Sequence, residues 1–263
     1  MKVPDTLFEK LWQLHTIEEL EGGTYLLHID RCYLHDLSGP SALGMLNKRN
    51  LSPHNPELAI GTLDHTLCSM PGRTIDDSFA SKTFVPMFRE FCSQNQIRLF
   101  DLNHPLQGIV HVMGPETGLT LPGMTVVCGD SHTCTHGALG ALAWGVGSTD
   151  LYHALATQTL LIKKPKTLRI NIEGIPAPEA GPMDIILRII AELGTNFGVG
   201  YAIEYAGSAI SAMDMEGRMT ICNLTVEMGS DFGLISPDQK TIDYIKNKRF
   251  APQGEMLDQL ISH

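Results

Sequence analysis

Asp64-His65 and Asp130-Ser131-His132 set a carboxylate beside an imidazole twice, each time just after a short apolar run, Ala59 to Leu63 and Val126 to Gly129. An aspartate bonded to one ring nitrogen orients a histidine and holds its proton, which is what a general acid or base requires. His111 follows a third such run, Gly108-Ile109-Val110. If these runs are strands of an open α/β sheet, their carboxyl ends border the crevice where ligands bind, and the three histidines converge there. The competing reading is that Asp and His after a strand are turn or cap residues. The residues alone leave both readings open.

Other candidates are weaker. His132 and His136 are spaced i, i+4, as zinc-binding histidines on a helix are, but they precede Gly137 and lack an HExxH glutamate. Gly137-Ala138-Leu139-Gly140-Ala141 has neither a dinucleotide fingerprint nor a P-loop lysine, so tight packing is its expected role. Asn223 and Glu227 fall on one face of a helix expected over Ser211 to Met228, with a soft spot at Gly217. Arg218 offers either a cation for a carboxylate or a surface charge.

The elements that must position these residues alternate in type. Thr6 and Glu9 form a capping box, which predicts a helix to about Leu20. Strands are expected at Thr24 to Asp30, Glu57 to Leu63, Ile97 to Leu102, Gly108 to Met113, Met124 to Cys128, Thr167 to Ile172 and Tyr201 to Tyr205. Ser148 or Thr149 caps a helix to about Leu161, and Pro182 and Gly194 bracket another. Ser69 to Ser81 reads as a mobile loop. The pattern is α/β with a largely parallel sheet. Residues 1–263 are taken as one α/β region, and the three prolines of Gly174 to Pro182 mark its one candidate sub-domain seam.

With 19 Lys+Arg against 29 Asp+Glu, the net charge of −10 excludes a generic nucleic-acid binder. A local pocket for a small anion remains compatible with it. Ala138 to Gly147, the best apolar stretch, is too short to span a membrane. Met1 to Gln13 lacks the apolar core of a signal peptide. Cys32, Cys68, Cys92, Cys128, Cys134 and Cys222 form no CxxC pair, and reduced thiols in a cytoplasmic protein are expected.

A longer set of motifs carries a resemblance. Glu21-Gly22-Gly23, Ile29-Asp30-Arg31, Asp64-His65, Gly108-Ile109-Val110-His111 and Gly114-Pro115-Glu116 occur in that order. They are followed by Leu121-Pro122-Gly123-Met124-Thr125, Cys128-Gly129-Asp130-Ser131-His132-Thr133, Thr135-His136-Gly137-Ala138 and the run from Met215 to Asn223. The chain resembles the N-terminal part of the large subunits of the 3-isopropylmalate dehydratase branch of the aconitase superfamily, over nearly its whole length.

The resemblance implies a layered α/β/α fold without the third, cluster-bearing domain. It implies reversible dehydration of a hydroxy di- or tricarboxylic acid, with isopropylmalate in leucine biosynthesis favoured and homoaconitate- or methylmalate-type acids close behind. It implies a [4Fe-4S] cluster whose open iron acts as a Lewis acid. Asp64 and His65 resemble the pair that protonates the leaving hydroxyl. Asp130, Ser131 and His132 resemble the loop that meets substrate, and His111 the histidine paired with that aspartate. His35 stands where aconitases place a substrate-contacting Gln, and Asn223 and Glu227 resemble residues near the iron. The carbon base is expected from a serine of the small, swivelling subunit.

The family's ligand segments, of the type GSCTNSR and a later C-x-x-C, do not occur in this sequence. The cluster is therefore expected from a C-terminal portion supplied by other segments, with the chain inactive alone and its uncovered apolar surface favouring association. The alternative is a cluster-free relative that binds small dicarboxylates or serves as a non-catalytic partner. Cys134, where the family carries a small residue such as serine, is expected to be a buried small hydrophobe.

Overall fold

The structure is a computed structural model and describes residues 6–257; residues 1–5 and 258–263, included in the span taken above as one α/β region, lie outside it. Helix α1 (Leu7–His15) begins where the Thr6 hydroxyl accepts the Glu9 N–H at 3.2 Å. It stops at His15, short of the expected Leu20. Thr16 and Ile17 are β-branched and favour a strand. Strand β1 (Thr16–Leu20) turns through Gly22 and Gly23, at φ +75° and +74°, and pairs antiparallel with β2 (Thr24–His28). Only glycine enters two successive positive-φ positions without strain.

The chain continues with β3 (Arg31–His35), α2 (Gly39–Lys48), β4 (Ala59–Thr62), α3 (Phe79–Gln94) and β5 (Arg98–Phe100). Then come α4 (Val110–Thr117), β6 (Thr125–Cys128), β7 (Leu142–Gly145), α5 (Ser148–Thr157), β8 (Thr159–Lys163) and β9 (Lys166–Asn171). The last elements are α6 (Pro182–Leu193), β10 (Tyr201–Ala206), α7 (Ser208–Ala212), α8 (Met215–Asn223), β11 (Phe232–Ile235) and α9 (Gln239–Ile245).

Five strands form a parallel sheet in the order β5-β4-β3-β6-β7. Two smaller sheets accompany it, antiparallel β1-β2-β8 and parallel β11-β10-β9. The architecture is α/β, as the alternation of elements implies. Period-2 alternation feeds a core on each face of the large sheet. Cys32, Leu34, Ala59 and Val127 join one core with Phe8, Trp12 and Phe88, whereas Tyr33, Ile60, Val126 and Cys128 join the other with Val110 and Met113.

Four further expectations are corrected. Gly108 to Met113 is not a strand: the run enters α4, because the Asp64 carboxylate accepts the Val110 N–H at 2.7 Å and caps its first turn. Ser211 to Met228 is not one helix. It breaks at Met213, Asp214 caps α8 by accepting the Gly217 N–H at 2.8 Å, and a 3-10 segment runs from Leu224 to Met228. Gly217 lies inside α8 against Pro182, where an added Cβ would be 2.9 Å from the ring, so it is a packing point and not a soft spot. The helix expected to reach Leu161 ends at Thr157, with Gly147 and not Ser148 or Thr149 as its N-cap.

Candidate acid–base site

In a parallel sheet every carboxyl end lies on one edge. His35 pairs with Thr62 and Tyr33 with Cys128, so the residues just past β3, β4 and β6 are brought side by side. Asp36, Asp64-His65 and Asp130 all fall there, which is where open α/β sheets bind ligands. His111, in the first turn of α4, reaches the same edge from a helix.

His65 is the centre of the group. Its Nδ1 lies 2.6 Å from Asp64 Oδ1 and its Nε2 3.0 Å from Asp130 Oδ2. Both nitrogens face carboxylates, so both carry protons. The bonds to Asp130 and Asp64 outweigh the desolvation of the ring and push its pKa up to about 10. Asp130 is driven the other way. Burial raises its pKa, but His111, His65 and the His132 N–H (2.8 Å) together hold it far below the usual carboxylate range.

His35 lies beneath His65, the rings stacked at 3.6 Å. Only 1% of it is exposed. Its Nδ1 faces the Leu37 and Ser38 N–H groups, and its Nε2 faces the Gly129 carbonyl at 3.1 Å and the Ser38 hydroxyl at 2.9 Å. That pattern is a neutral Nε2–H ring, and burial, reinforced by the charge on His65, pushes its pKa down. His35 therefore meets the crevice through the face of His65.

On the far side, His111 Nε2 lies 3.4 Å from Asp130 Oδ2, within ion-pair range but without hydrogen-bond geometry. His132 sits between Asp130 and Glu227, each 3.5 Å away, with Ser131 exposed next to it. Asn223 Nδ2 donates to Thr135 Oγ1 at 2.9 Å. Asn223 ends α8 and Glu227 lies on the following 3-10 segment, so they do not share one helical face, yet both approach the loop after β6. The structure thus gathers Asp64, His65, His111, Asp130, Ser131, His132, Asn223 and Glu227 along one edge, with His35 behind them.

Asp36 was missed by sequence reasoning. Fully buried, it accepts the N–H groups of Asp64 and His65 at 3.0 Å each, and the Thr66 N–H at 2.8 Å, along with the Thr66 hydroxyl. Burial opposes its charge, but these bonds hold its pKa below the usual range. The signal was present, since His35-Asp36 ends β3 with the same residue types that follow β4 and β6. His136 was also missed as a neighbour of His111, its Nε2 3.1 Å from His111 Nδ1.

Other expected chemistry is absent from the geometry. His132 and His136 do not converge: His136 is buried against Thr120 and His111. His35, Asp36, Asp64 and His65 lie within 4.8 Å of one another, the spacing of a metal site, but their ligand atoms are engaged with each other and with backbone N–H groups. Arg218 is neither a free cation nor a surface charge. It is 1% exposed and grips Asp238 through both terminal nitrogens. Gly137 packs against the backbone of β11, where an added Cβ would strike the Gly233 carbonyl at 1.7 Å. A groove of about 590 Å³ between β9 and α6 is lined by apolar residues such as Ile172, Ile185 and Ile189 together with Glu173, Asp184 and Arg188, and lacks histidine. No described helix is long and apolar enough to cross a membrane.

The parallel sheet thus brings two Asp–His groups together at its carboxyl edge. The aconitase family model (aconitate hydratase) matches residues 9–263, and the chain belongs to that family. It is similar to the 3-isopropylmalate dehydratase large subunit 1 of Bradyrhizobium diazoefficiens, 50% identical over 98% of this chain and 54% of the relative. It is also similar to the 3-isopropylmalate dehydratase large subunit of Oceanobacillus iheyensis, 45% identical over 99% of this chain and 55% of the relative. The chain spans about half the length of these relatives.

The family implies an iron–sulfur cluster, which needs several converging thiolates. The described cysteines do not fit one. Cys32 and Cys92 sit in one apolar core, Cys128 in a second and Cys222 in a third. Burial pushes the thiols of Cys32, Cys92 and Cys134 up to about 12 and those of Cys128 and Cys222 well above their usual value. Cys134 is the buried residue expected, its thiol 3.5 Å from the Asn223 carbonyl. Only Cys68 is partly exposed.

Proposed function

We propose that this chain supplies the acid–base half of a hydro-lyase site acting on a hydroxy dicarboxylic acid of the 3-isopropylmalate type. The observation that carries the reading is His65 held between Asp64 and Asp130 on the carboxyl edge. A leaving hydroxide needs a proton at the moment its bond breaks, and a histidine kept charged by two carboxylates carries one, given when its Nε2–H exchanges Asp130 for the hydroxyl oxygen. Asp64 and Asp130 hold that ring in place and stabilise its charge. In the reverse direction the neutral ring takes a proton from water as it adds. Asp36 fixes the backbone of Asp64, His65 and Thr66, so the acid is aimed before substrate arrives.

Ser131, His132, Asn223 and Glu227 border the remaining space, with His132 and Glu227 placed to orient a hydroxyl or a water. The described cysteines, dispersed and protonated, do not suit a cluster on this chain. The small subunit and a cluster-bearing segment are the proposed partners. Abstraction of the carbon-bound proton is left to a residue of the small subunit.

The test is to combine the purified chain with the small subunit and a cluster-bearing C-terminal segment and follow formation of the unsaturated acid from isopropylmalate. Turnover that falls sharply with His65→Gln supports the reading. Turnover indifferent to His65→Gln overturns it. The protonated, dispersed thiols favour one second reading, a cluster-free dicarboxylate binder. That reading requires saturable binding of isopropylmalate to the chain alone, with no turnover in any combination.

A further inference from the structure

Behind Asp130 a line of polar groups runs into the core. His111 Nδ1 is 3.1 Å from His136 Nε2, His136 Nδ1 is 3.0 Å from Thr120 Oγ1, and Thr120 Oγ1 is 2.8 Å from the Tyr33 hydroxyl. His136, Thr120 and Tyr33 are fully buried, and His111 is 4% exposed. Tyr33 also stacks on His136, with centroids 5.1 Å apart. A row of buried polar groups in an apolar core is costly unless every donor finds an acceptor.

Applied to the three bonds from Tyr33 to His111, that condition fixes their direction; His111 Nε2, at the outer end, faces Asp130 at 3.4 Å without hydrogen-bond geometry. Tyr33 keeps its proton, since burial pushes its pKa up to about 12. Its hydroxyl makes one hydrogen bond among the described residues, to Thr120, so it donates there. The Thr120 proton then goes to His136 Nδ1. His136 is neutral, because its complete burial disfavours its charge. Its single proton is therefore on Nε2 and is donated to His111 Nδ1. His111, accepting at Nδ1, carries its own proton on Nε2, the atom facing Asp130. Reversing the line, or placing a proton on His111 Nδ1, leaves the Tyr33 hydroxyl without an acceptor.

We propose that Tyr33, Thr120 and His136 are positioning residues that fix His111 in the neutral Nε2–H form against Asp130. The proposal rests on the acid–base reading of the site and deepens it. With His111 locked in this form, its ring brings no positive charge to Asp130, and proton delivery is assigned to His65. Nothing in the line touches the space left for substrate, so these residues act through His111.

The experiment is long-range proton–nitrogen NMR of the histidine rings in the ¹⁵N-histidine-labelled chain near neutral pH. The expected spectrum has His111 and His136 each in a single Nε2–H form. Thr120→Val removes the hydroxyl and nearly preserves shape, so loss of the single form at both rings is expected, with recovery in Thr120→Ser. Tyr33→Phe frees Thr120 to donate either way, and a smaller shift at His136 is expected; should Thr120→Val not fold, the wild-type and Tyr33→Phe spectra decide. A wild-type His111 in the Nδ1–H form, or tautomers unchanged in either folded variant, overturns the proposal. The readout needs no turnover, so its failure is distinct from failure of the hydro-lyase reading, which the assembled-enzyme assay decides.

Discussion

Two Asp–His clusters sit at opposite ends of the same parallel sheet. At the amino ends of β3 and β6, Asp30 takes His15 Nε2 at 2.8 Å and faces His28 Nδ1 at 3.3 Å. At the carboxyl ends, Asp64 and Asp130 share His65. The residue types match, but the connections differ. Asp30 also accepts the Thr125 N–H, and His15 spends its other nitrogen on the Leu11 carbonyl. That cluster ties α1 and β2 to β6 and closes on itself. At the other end, His132 and Glu227 border open space and His65 is charged on both sides. An aspartate beside a histidine therefore does not identify a site. The edge of the sheet it occupies, and whether its partners are all protein groups, do.

Breaking the carboxyl-edge cluster is expected to have the largest effect. In the assembled enzyme, Asp130→Asn removes the negative charge facing His65 Nε2, and turnover is expected to fall by ~10²–10⁴-fold with little change in the melting temperature of the chain. An equal loss of stability and activity would place Asp130 with Asp30 as a structural residue.

Asp36→Asn comes next. It sets an amide donor against N–H donors of the Asp64–Thr66 loop, and urea unfolding is expected to show a loss of about 1–3 kcal/mol.

At the amino end, Asp30→Asn is expected to cost about 1–2 kcal/mol, since the pair is partly solvated. Its pH signature is specific. Bonding to Asp30 raises the pKa of His15 against the desolvation that lowers it, so that contribution is full below about 6.5 and fades as pH rises through the folded value. Burial raises the pKa of Asp30, but its bonds to His15 and Thr125 win and lower it, so its contribution is full above about 3.8 and fades on acidification. The pair therefore stabilises most between these limits, and unfolding of Asp30→Asn across pH should lose that maximum.

The smallest effect belongs to the exposed i, i+4 pair Arg188–Glu192 on α6, where Arg188→Ala is expected to shift stability by about 0.3–0.5 kcal/mol.

The sequence carried the two Asp–His pairs, the parallel sheet and the bounds of α6, because apolar runs, Pro182 and Gly194 are local signals. What it hid was non-local. Gly108-Ile109-Val110 reads as a strand by its β-branched run, and only the Asp64 carboxylate, 46 residues earlier, makes it a helix start. The β1–β2 hairpin was obscured by Glu18-Glu19-Leu20, which suits a helix equally well. Asp214 falls inside the helix expected over Ser211 to Met228, and the structure makes it the cap of α8. Asp36 and His136 look like ordinary core neighbours until the sheet register sets them beside His65 and His111.

The charge on His65 is the central claim, and a pH titration of its ring nitrogens by NMR, assigned with His65→Gln, tests it most directly. A ring protonated on both nitrogens through neutral pH, deprotonating only near 10, is the expected result. A ring that titrates near 6.5, the ordinary histidine value, would contradict the account, because neither Asp64 nor Asp130 would then be holding its proton.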